Sequence, residues 1–337
     1  MSILRKILFP FALLYGAVML LRNVLYDIRL FKSSSFPLPV ICVGNLSVGG
    51  TGKSPMIEYL LKLLISNYKT ATLSRGYGRN TSGFHLLDGG ETAELVGDEP
   101  LQFKSKFRRA IVAVDEKRTR GISMLQSTCS PEVILLDDAF QHRKVTAGLN
   151  ILLTTYNELY IDDFILPTGN LREPASGAKR AQIIVVTKCP KNLTVKNQIK
   201  IKKRLKLKNY QKLFFSYIEY SNKVYSEKPR KLISSISDEK ITMVTGIANP
   251  KPLCVYLDQL NIDFEHLNFP DHHKFTKGDL NQIMEAPLVL TTEKDFMRLK
   301  GVISHPNLYY IPIKMKFFGS KALEFDQQIE RYVSNKK

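Results

Sequence analysis

The stretch from Leu38 to Ser66 constrains this chain most. Leu38-Pro39-Val40-Ile41-Cys42-Val43 is an apolar run of strand length, Gly44 to Ser54 is a glycine-rich turn, and from Pro55 to Leu64 apolar residues recur at helical spacing. Strand, glycine turn and helix in that order make a phosphate cradle. Glycines let the backbone wrap closely around oxygens, and successive N–H groups point at them. Lys53 is placed to reach β- and γ-phosphates, and the Ser54 hydroxyl to sit on Mg²⁺. Gly49, Gly50, Thr51, Gly52, Lys53 and Ser54 are therefore the candidate nucleotide-binding residues. The strict G-x-x-x-x-G-K-[ST] pattern fails by one residue, Ser47, and Gly49 and Gly50 supply flexibility one turn later. Pro55 falls early in the helix, where a missing N–H costs least.

A second signal lies downstream. Val133-Ile134-Leu135-Leu136-Asp137-Asp138 is an apolar strand ending in acid, the arrangement in which an aspartate holds Mg²⁺ directly or through water. Further strand-like runs at 70–74, 110–114, 150–154 and 183–187 alternate with helix-length segments, which predicts a parallel sheet covered on both faces. Loops at the C-terminal ends of such strands form the ligand edge. Arg75-Gly76-Tyr77-Gly78-Arg79 sits at one, and Ala139-Phe140-Gln141-His142-Arg143 at another. Arg172 is placed either to offset charge on a transferred phosphoryl group or to form a solvated pair with Glu173. Asp98 opens a helical pattern, and spacing alone favours a cap over a catalytic carboxylate. Thr187-Lys188-Cys189-Pro190 resembles the base-reading N/T-K-x-D segment of GTPases, but Pro190 occupies the acid's position, so guanine selectivity is not expected.

The net charge of +18 favours anionic partners. The lysine-rich run around Lys202–Lys208 lacks interleaved aromatics until Tyr210, so no nucleic-acid partner is expected. No obligate protein partner is evident. Cys42, Cys129, Cys189 and Cys254 are far apart, which argues against a structural zinc and for a reducing compartment. Ile7 to Leu21 is almost wholly apolar with basic flanks, yet shorter than the roughly 20 residues a bilayer span needs. An interfacial or shallowly inserted anchor is expected, on anionic lipid. Beyond the lysine run, strands at 241–245 and 288–292 suggest a smaller α/β unit, with Asp271-His272-His273 on a loop between them.

Taken in order, Val43-Gly44-Asn45, Gly49 to Pro55, Ser74 to Gly78, Gly97-Asp98-Glu99-Pro100, Leu136 to His142, Gly169 to Pro174, Asp271-His272-His273 and Thr292-Glu293-Lys294-Asp295 resemble the tetraacyldisaccharide 4′-kinase family, from the N-terminus to about Leu299. Ser54 stands where Thr is commoner in that family and Ala139 where Gly is usual. The resemblance implies an α/β fold with a P-loop NTPase-type parallel sheet. It implies an N-terminal membrane-anchor helix (1–31), a P-loop kinase domain (32–210) and a smaller α/β domain (211–337) completing the active site. It also implies ATP-dependent phosphorylation of the 4′-hydroxyl of tetraacyldisaccharide 1-phosphate, giving lipid IVA, at the cytoplasmic face of the inner membrane of a Gram-negative-type cell. ATP and Mg²⁺ are the implied cofactors, with Ser54, Asp137 and Glu173 as candidate metal ligands. Asp98 becomes the candidate base, supported by His272, with Lys53 and Arg172 on the phosphoryl group. Arg75, Asp138, Gln141 and His142 are expected near the substrate. Two rivals fit less: a partitioning ATPase, whose signature lysine would fall at Val48, and a non-catalytic basic scaffold, which leaves the ordered acid and glycine motifs unexplained.

Overall fold

The computed structural model describes residue 5 and residues 7–226 and 231–336, and in it the apolar runs form the middle of a mixed, mostly parallel sheet. Helix α1 (Phe9–Asp27) precedes β1 (Val40–Asn45), and the phosphate-loop helix α2 (Lys53–Leu64) leads to β2 (Thr70–Ser74). Then come β3 (His85–Leu86), α3 (Asp98–Lys106), β4 (Ile111–Val114), α4 (Arg118–Cys129), β5 (Val133–Asp137), β6 (Leu149–Thr155), β7 (Ile183–Thr187), α5 (Val195–Leu205) and β8 (Lys212–Tyr220). A two-stranded ribbon, β9 (Lys223–Val224) with β10 (Lys231–Leu232), opens the second unit. That unit contains β11 (Ile241–Thr245), α6 (Lys251–Gln259), β12 (Phe264–Asn268), α7 (Lys277–Met284), β13 (Leu288–Thr292), α8 (Glu293–Leu299) and β14 (Leu308–Ile311). The chain closes with β15 (Ile313–Phe317) and α9 (Lys321–Ser334).

Among the described residues the large sheet has the order β15-β8-β7-β6-β1-β5-β2-β4-β3, and the second sheet β12-β11-β13-β14. β1, β2, β5 and β7 are buried at every position. That is why they read as continuous apolar runs rather than alternating ones: helices cover both faces. One face buries Met56, Leu60, Phe103 and Phe325, and the other Leu73, Ile122, Leu136 and Ile201. β1 sits where the order reverses, with β5 on one side and β6 on the other, so the crevice beyond its C-terminal end is the ligand position for such a sheet.

The expected boundary after residue 210 is corrected by the sheet itself. β8 pairs with β7, and β15 returns from the far end of the chain to pair antiparallel with β8. Tyr59 of α2 meets Phe317 at 5.1 Å and Phe325 at 5.7 Å between ring centroids, which seats α9 on the first unit. The second unit is thus an insertion between β8 and β15 rather than the whole C-terminal segment. Lys202, Lys203 and Arg204 of the lysine-rich run lie on the exposed face of α5, whose Ile201 and Leu205 are buried.

Helix α1 has 19 residues and is long and apolar enough to cross a membrane by length and composition. It is nevertheless tied down along one side. Ala12, Asn23 and Tyr26 are buried. Tyr15 Oη donates to Arg172 O at 2.8 Å, and Arg143 donates to Asn23 O at 2.7 Å. Phe11, Leu13, Leu14 and Leu21 stand exposed on the other side.

Candidate active site

The phosphate loop leaves β1 at Asn45 and enters α2 through Gly52, whose φ of +90° strains any side chain there. Lys53 then points back across the strand ends. Its Nζ lies 3.4 Å from Asn45 Oδ1 and 3.6 Å from Asp138 Oδ1. Asp138 also receives Arg172 Nη1 on both oxygens, at 3.1 and 3.0 Å. Burial alone would raise the Asp138 carboxyl, but Lys53 and Arg172 hold it below the usual range. Its φ of +47° marks a sharp turn straight after β5, which lifts it beside Lys53 while Asp137 stays in the strand.

Asp137 is different. It is buried, its Oδ1 has no hydrogen-bond partner, and Ser74 Oγ donates to its Oδ2 at 3.3 Å. Burial and the charge of Asp138 push it up to about 7. Beneath it lies Arg118, 3% exposed, donating to Asp115 O at 2.5 Å and to Asp137 O at 3.4 Å. Burial brings Arg118 down to about 10. Burial, Arg118 and Arg75 together push His142 down to about 4, so this histidine is neutral at physiological pH. Arg75 itself is exposed at the end of β2.

A buried carboxylate oxygen without a donor, next to a lysine and beyond a glycine loop, fits Mg²⁺ bound jointly with phosphate. No group of three or more His, Cys, Asp or Glu able to hold a metal occurs among the described residues. Glu173 is placed otherwise than expected. It is fully buried and receives Asn23 Nδ2 at 2.8 Å, Gln141 Nε2 at 3.0 Å and Arg180 Nη2 at 2.7 Å. Both its oxygens are thus engaged, and it fastens α1 to the first unit. Gln141 belongs to the same network through Asn45 O at 2.7 Å.

A second cluster forms where the two units meet. Asp98 is the first residue of α3, but its side chain does not cap the helix. Arg298, on α8, donates its Nε to Asp98 Oδ2 at 2.7 Å and adds a second contact to the same oxygen through Nη2. His272 Nδ1 lies 3.3 Å from Asp98 Oδ2 and 3.2 Å from Arg298 Nη2. Lys294 Nζ reaches His272 Nε2 at 3.0 Å and Glu99 at 2.9 Å. Asp98 Oδ1 makes no hydrogen bond among the described residues. Burial would raise Asp98, but hydrogen bonds from His272 and Arg298, and the charges of Arg298 and Lys294, hold it below the ordinary carboxylate range. Arg298 is buttressed by Asp295 Oδ1 at 3.0 Å and Gly246 O at 3.2 Å. His273, by contrast, stacks on Phe269 and bonds Asp279 at 2.9 Å.

Sequence reasoning singled out neither Arg298, Lys294, Arg118 nor Asn45 for the site. For Lys294 and Arg298 the available signal is their i, i+4 spacing, one helical face after a strand ending in Thr292. The partner across the gap, Asp98, is 200 residues away.

Comparison with known proteins now adds to this geometry. The family profile for tetraacyldisaccharide-1-P 4′-kinase, LpxK, matches residues 4–334. A tetraacyldisaccharide 4′-kinase of Flavobacterium johnsoniae is 52% identical over 99% of this chain and 98% of its own length. One of Bacteroides thetaiotaomicron is 44% identical over 98% of this chain and 93% of its own. Among solved structures, the "apo" form of LpxK from Aquifex aeolicus in complex with ATP superposes with a TM-score of 0.79 at 31% identity, covering 98% of this chain and 100% of that one.

Proposed function

The chain belongs to the tetraacyldisaccharide-1-P 4′-kinase family and is an ATP-dependent lipid kinase of lipid A biosynthesis, and we propose that its two polar clusters divide the transfer between them. The kinase transfers the γ-phosphate of ATP to the 4′-hydroxyl of tetraacyldisaccharide 1-phosphate, forming lipid IVA. The phosphate-loop cluster holds the donor. Thr51, Gly52, Lys53 and Ser54 take the triphosphate, and Ser54 with Asp137 would hold Mg²⁺, which when bound neutralises phosphate charge. Arg172, with one guanidinium edge on Asp138, stands where it offsets charge on the transferred group. The single observation that carries this reading is the convergence of Lys53, Asp137 and Asp138 on adjoining strand ends.

Asp98 is the base for the acceptor. Arg298 and His272 occupy Oδ2, which leaves Oδ1 for the hydroxyl proton. A sugar hydroxyl is a weak acid, so the proton leaves late, as the new P–O bond forms. γ-Labelled ATP and tetraacyldisaccharide 1-phosphate in detergent, with separation of the lipid products, tests the whole assignment. Label appearing only as inorganic phosphate would sink it.

The acceptor is too apolar to leave the bilayer, since each buried CH₂ is worth about 0.8 kcal/mol. The enzyme therefore works at the membrane surface, at the cytoplasmic face of the inner membrane, on anionic lipid. The exposed side of α1 and Phe164 support this, as does a mostly apolar groove of about 510 Å³ between α1 and the 163–176 loop, lined by Leu13, Gly16, Leu20, Phe164 and Ile165. Deleting α1 would also remove its ties to Glu173 and Arg143, so substitution is the cleaner test. Replacing Phe11, Leu14 and Leu21 by Ser should move the protein to the soluble fraction with ATP binding kept. Retention on membranes would count against the assignment of this face.

A further inference from the structure

The segment Thr187-Lys188-Cys189-Pro190 follows β7 and has no part in the transfer described above. β7 lies two strands from β1 on the side away from Asp137, so its C-terminal end flanks the phosphate loop opposite the metal-facing acid. Two contacts join this end to the loop. Thr187 Oγ1 donates to Thr51 O at 2.7 Å, and Thr187 is wholly buried, so the brace is fixed. A methyl group added to Gly50 would lie 3.7 Å from Lys188 Nζ, so the ammonium hangs over the loop backbone.

Lys188 differs from four other cations of the crevice. Lys53 and Arg172 are matched by Asp138, Lys294 by Glu99 and Arg298 by Asp98. Lys188 makes no hydrogen bond or ion pair among the described residues, although its side chain is open to solvent beside the loop. Its φ of +54° is uncommon outside glycine and sets the side chain at a sharp turn just past the strand end. In a base-reading N/T-K-x-D segment the final acid makes the edge-specific contact. Pro190 removes that acid here and leaves the lysine and its brace in place.

We propose that Lys188 is a nucleotide-binding residue, holding the base-and-ribose end of ATP beside Gly50 while Lys53 holds the phosphate end. This rests on the reading of the same crevice as an ATP site. The aliphatic stem offers the base an apolar surface, and the ammonium offers the ribose oxygens a donor.

The test uses the full chain. ATP affinity is measured calorimetrically with Mg²⁺ and no lipid, and steady-state kinetics are measured separately with both substrates. Lys188→Ala should weaken ATP binding about 5–10-fold and raise the KM for ATP by a like factor, with kcat and the lipid KM within about twofold. Lys188→Met, which keeps most of the stem, should fall between Lys188→Ala and the wild type. Unchanged ATP affinity in Lys188→Ala would overturn the proposal, as would equal losses for ATP and lipid together with a lowered melting temperature. Failure of the kinase reading is distinguishable, because it would appear as a wild-type protein that binds ATP without phosphorylating the lipid.

Discussion

The phosphate-loop cluster and the Asp98 cluster use the same chemistry, carboxylates gripped by lysine or arginine, but they are assembled in different ways. Lys53 follows β1 across the phosphate loop and opens α2, while Asp137 and Asp138 close β5, the hydrogen-bonded neighbour of β1 with Val43 opposite Asp137. Sheet pairing and one short loop bring them together. Asp98, His272, Arg298 and Lys294 come from two units, and only the docking of α8 against α3 joins them. The first cluster is a property of one sheet and the second of an interface. Damage to the first should therefore abolish binding of the donor, whereas damage to the second should spare binding and affect the proton transfer.

The largest expected effect tests the first half of that contrast. Lys53→Ala should lower kcat/KM by about 10³-fold or more and weaken ATP binding, because a charge aimed at the phosphates in a water-poor site has no substitute. Asp98→Asn should lower kcat by about 10²–10⁴-fold, the usual worth of a general base, while calorimetry finds ATP binding intact. Loss of ATP binding in this variant would erase the distinction between the clusters.

Arg298→Met sharpens the comparison further. Arg298 helps to hold Asp98 below the ordinary carboxylate range, so its removal should raise that pKa. The acid limb of the kcat/KM profile should move to higher pH, with kcat lower by about tenfold. A purely structural arginine would reduce activity without moving the limb.

The smallest effect concerns the interface itself. Lys106 of α3 bridges Glu58 of α2 at 2.7 Å and Glu293 of α8 at 2.9 Å. Burial and the charge of Glu58, against the pull of Lys106, push Glu293 up to about 7 from 4.5. Between those values the folded protein holds a proton that the unfolded chain releases, so stability falls as pH rises through that window. Glu293→Gln keeps the shape and removes the charge. It should melt higher than wild type at pH 8, by up to about 2 kcal/mol of stability, with the advantage fading toward pH 5. A variant that is less stable at pH 8 would mean that the bridge, rather than the packing around it, holds the units together.

Legibility followed the same line. The strands of the first unit were readable because residues buried on both faces must be apolar at every position, as at Val133–Leu136. The phosphate loop was readable because close backbone approach requires glycine at fixed spacing. β8 and β15 were not read. β8 is an exposed-to-intermediate strand outside Phe214, Phe215 and Ser216, and Ile313-Lys314-Met315-Lys316-Phe317 is short and alternating. The expected domain break near residue 210 followed a run of lysines, which reports solvent on one side of a helix and says nothing of where the chain goes next.

By itself, then, the order of residues determined the local pieces: which segments could be strands, where phosphate could be cradled, and which acids ended the strands beside it. Periodicity and backbone freedom are local properties, written over a few neighbouring positions. The tertiary structure decided that Glu173 fastens a helix rather than facing the metal position, that Asp98 meets Arg298, and that Lys188 overhangs Gly50. Those pairings depend on the packing of elements far apart in the chain, and no spacing along it encodes a distance across it.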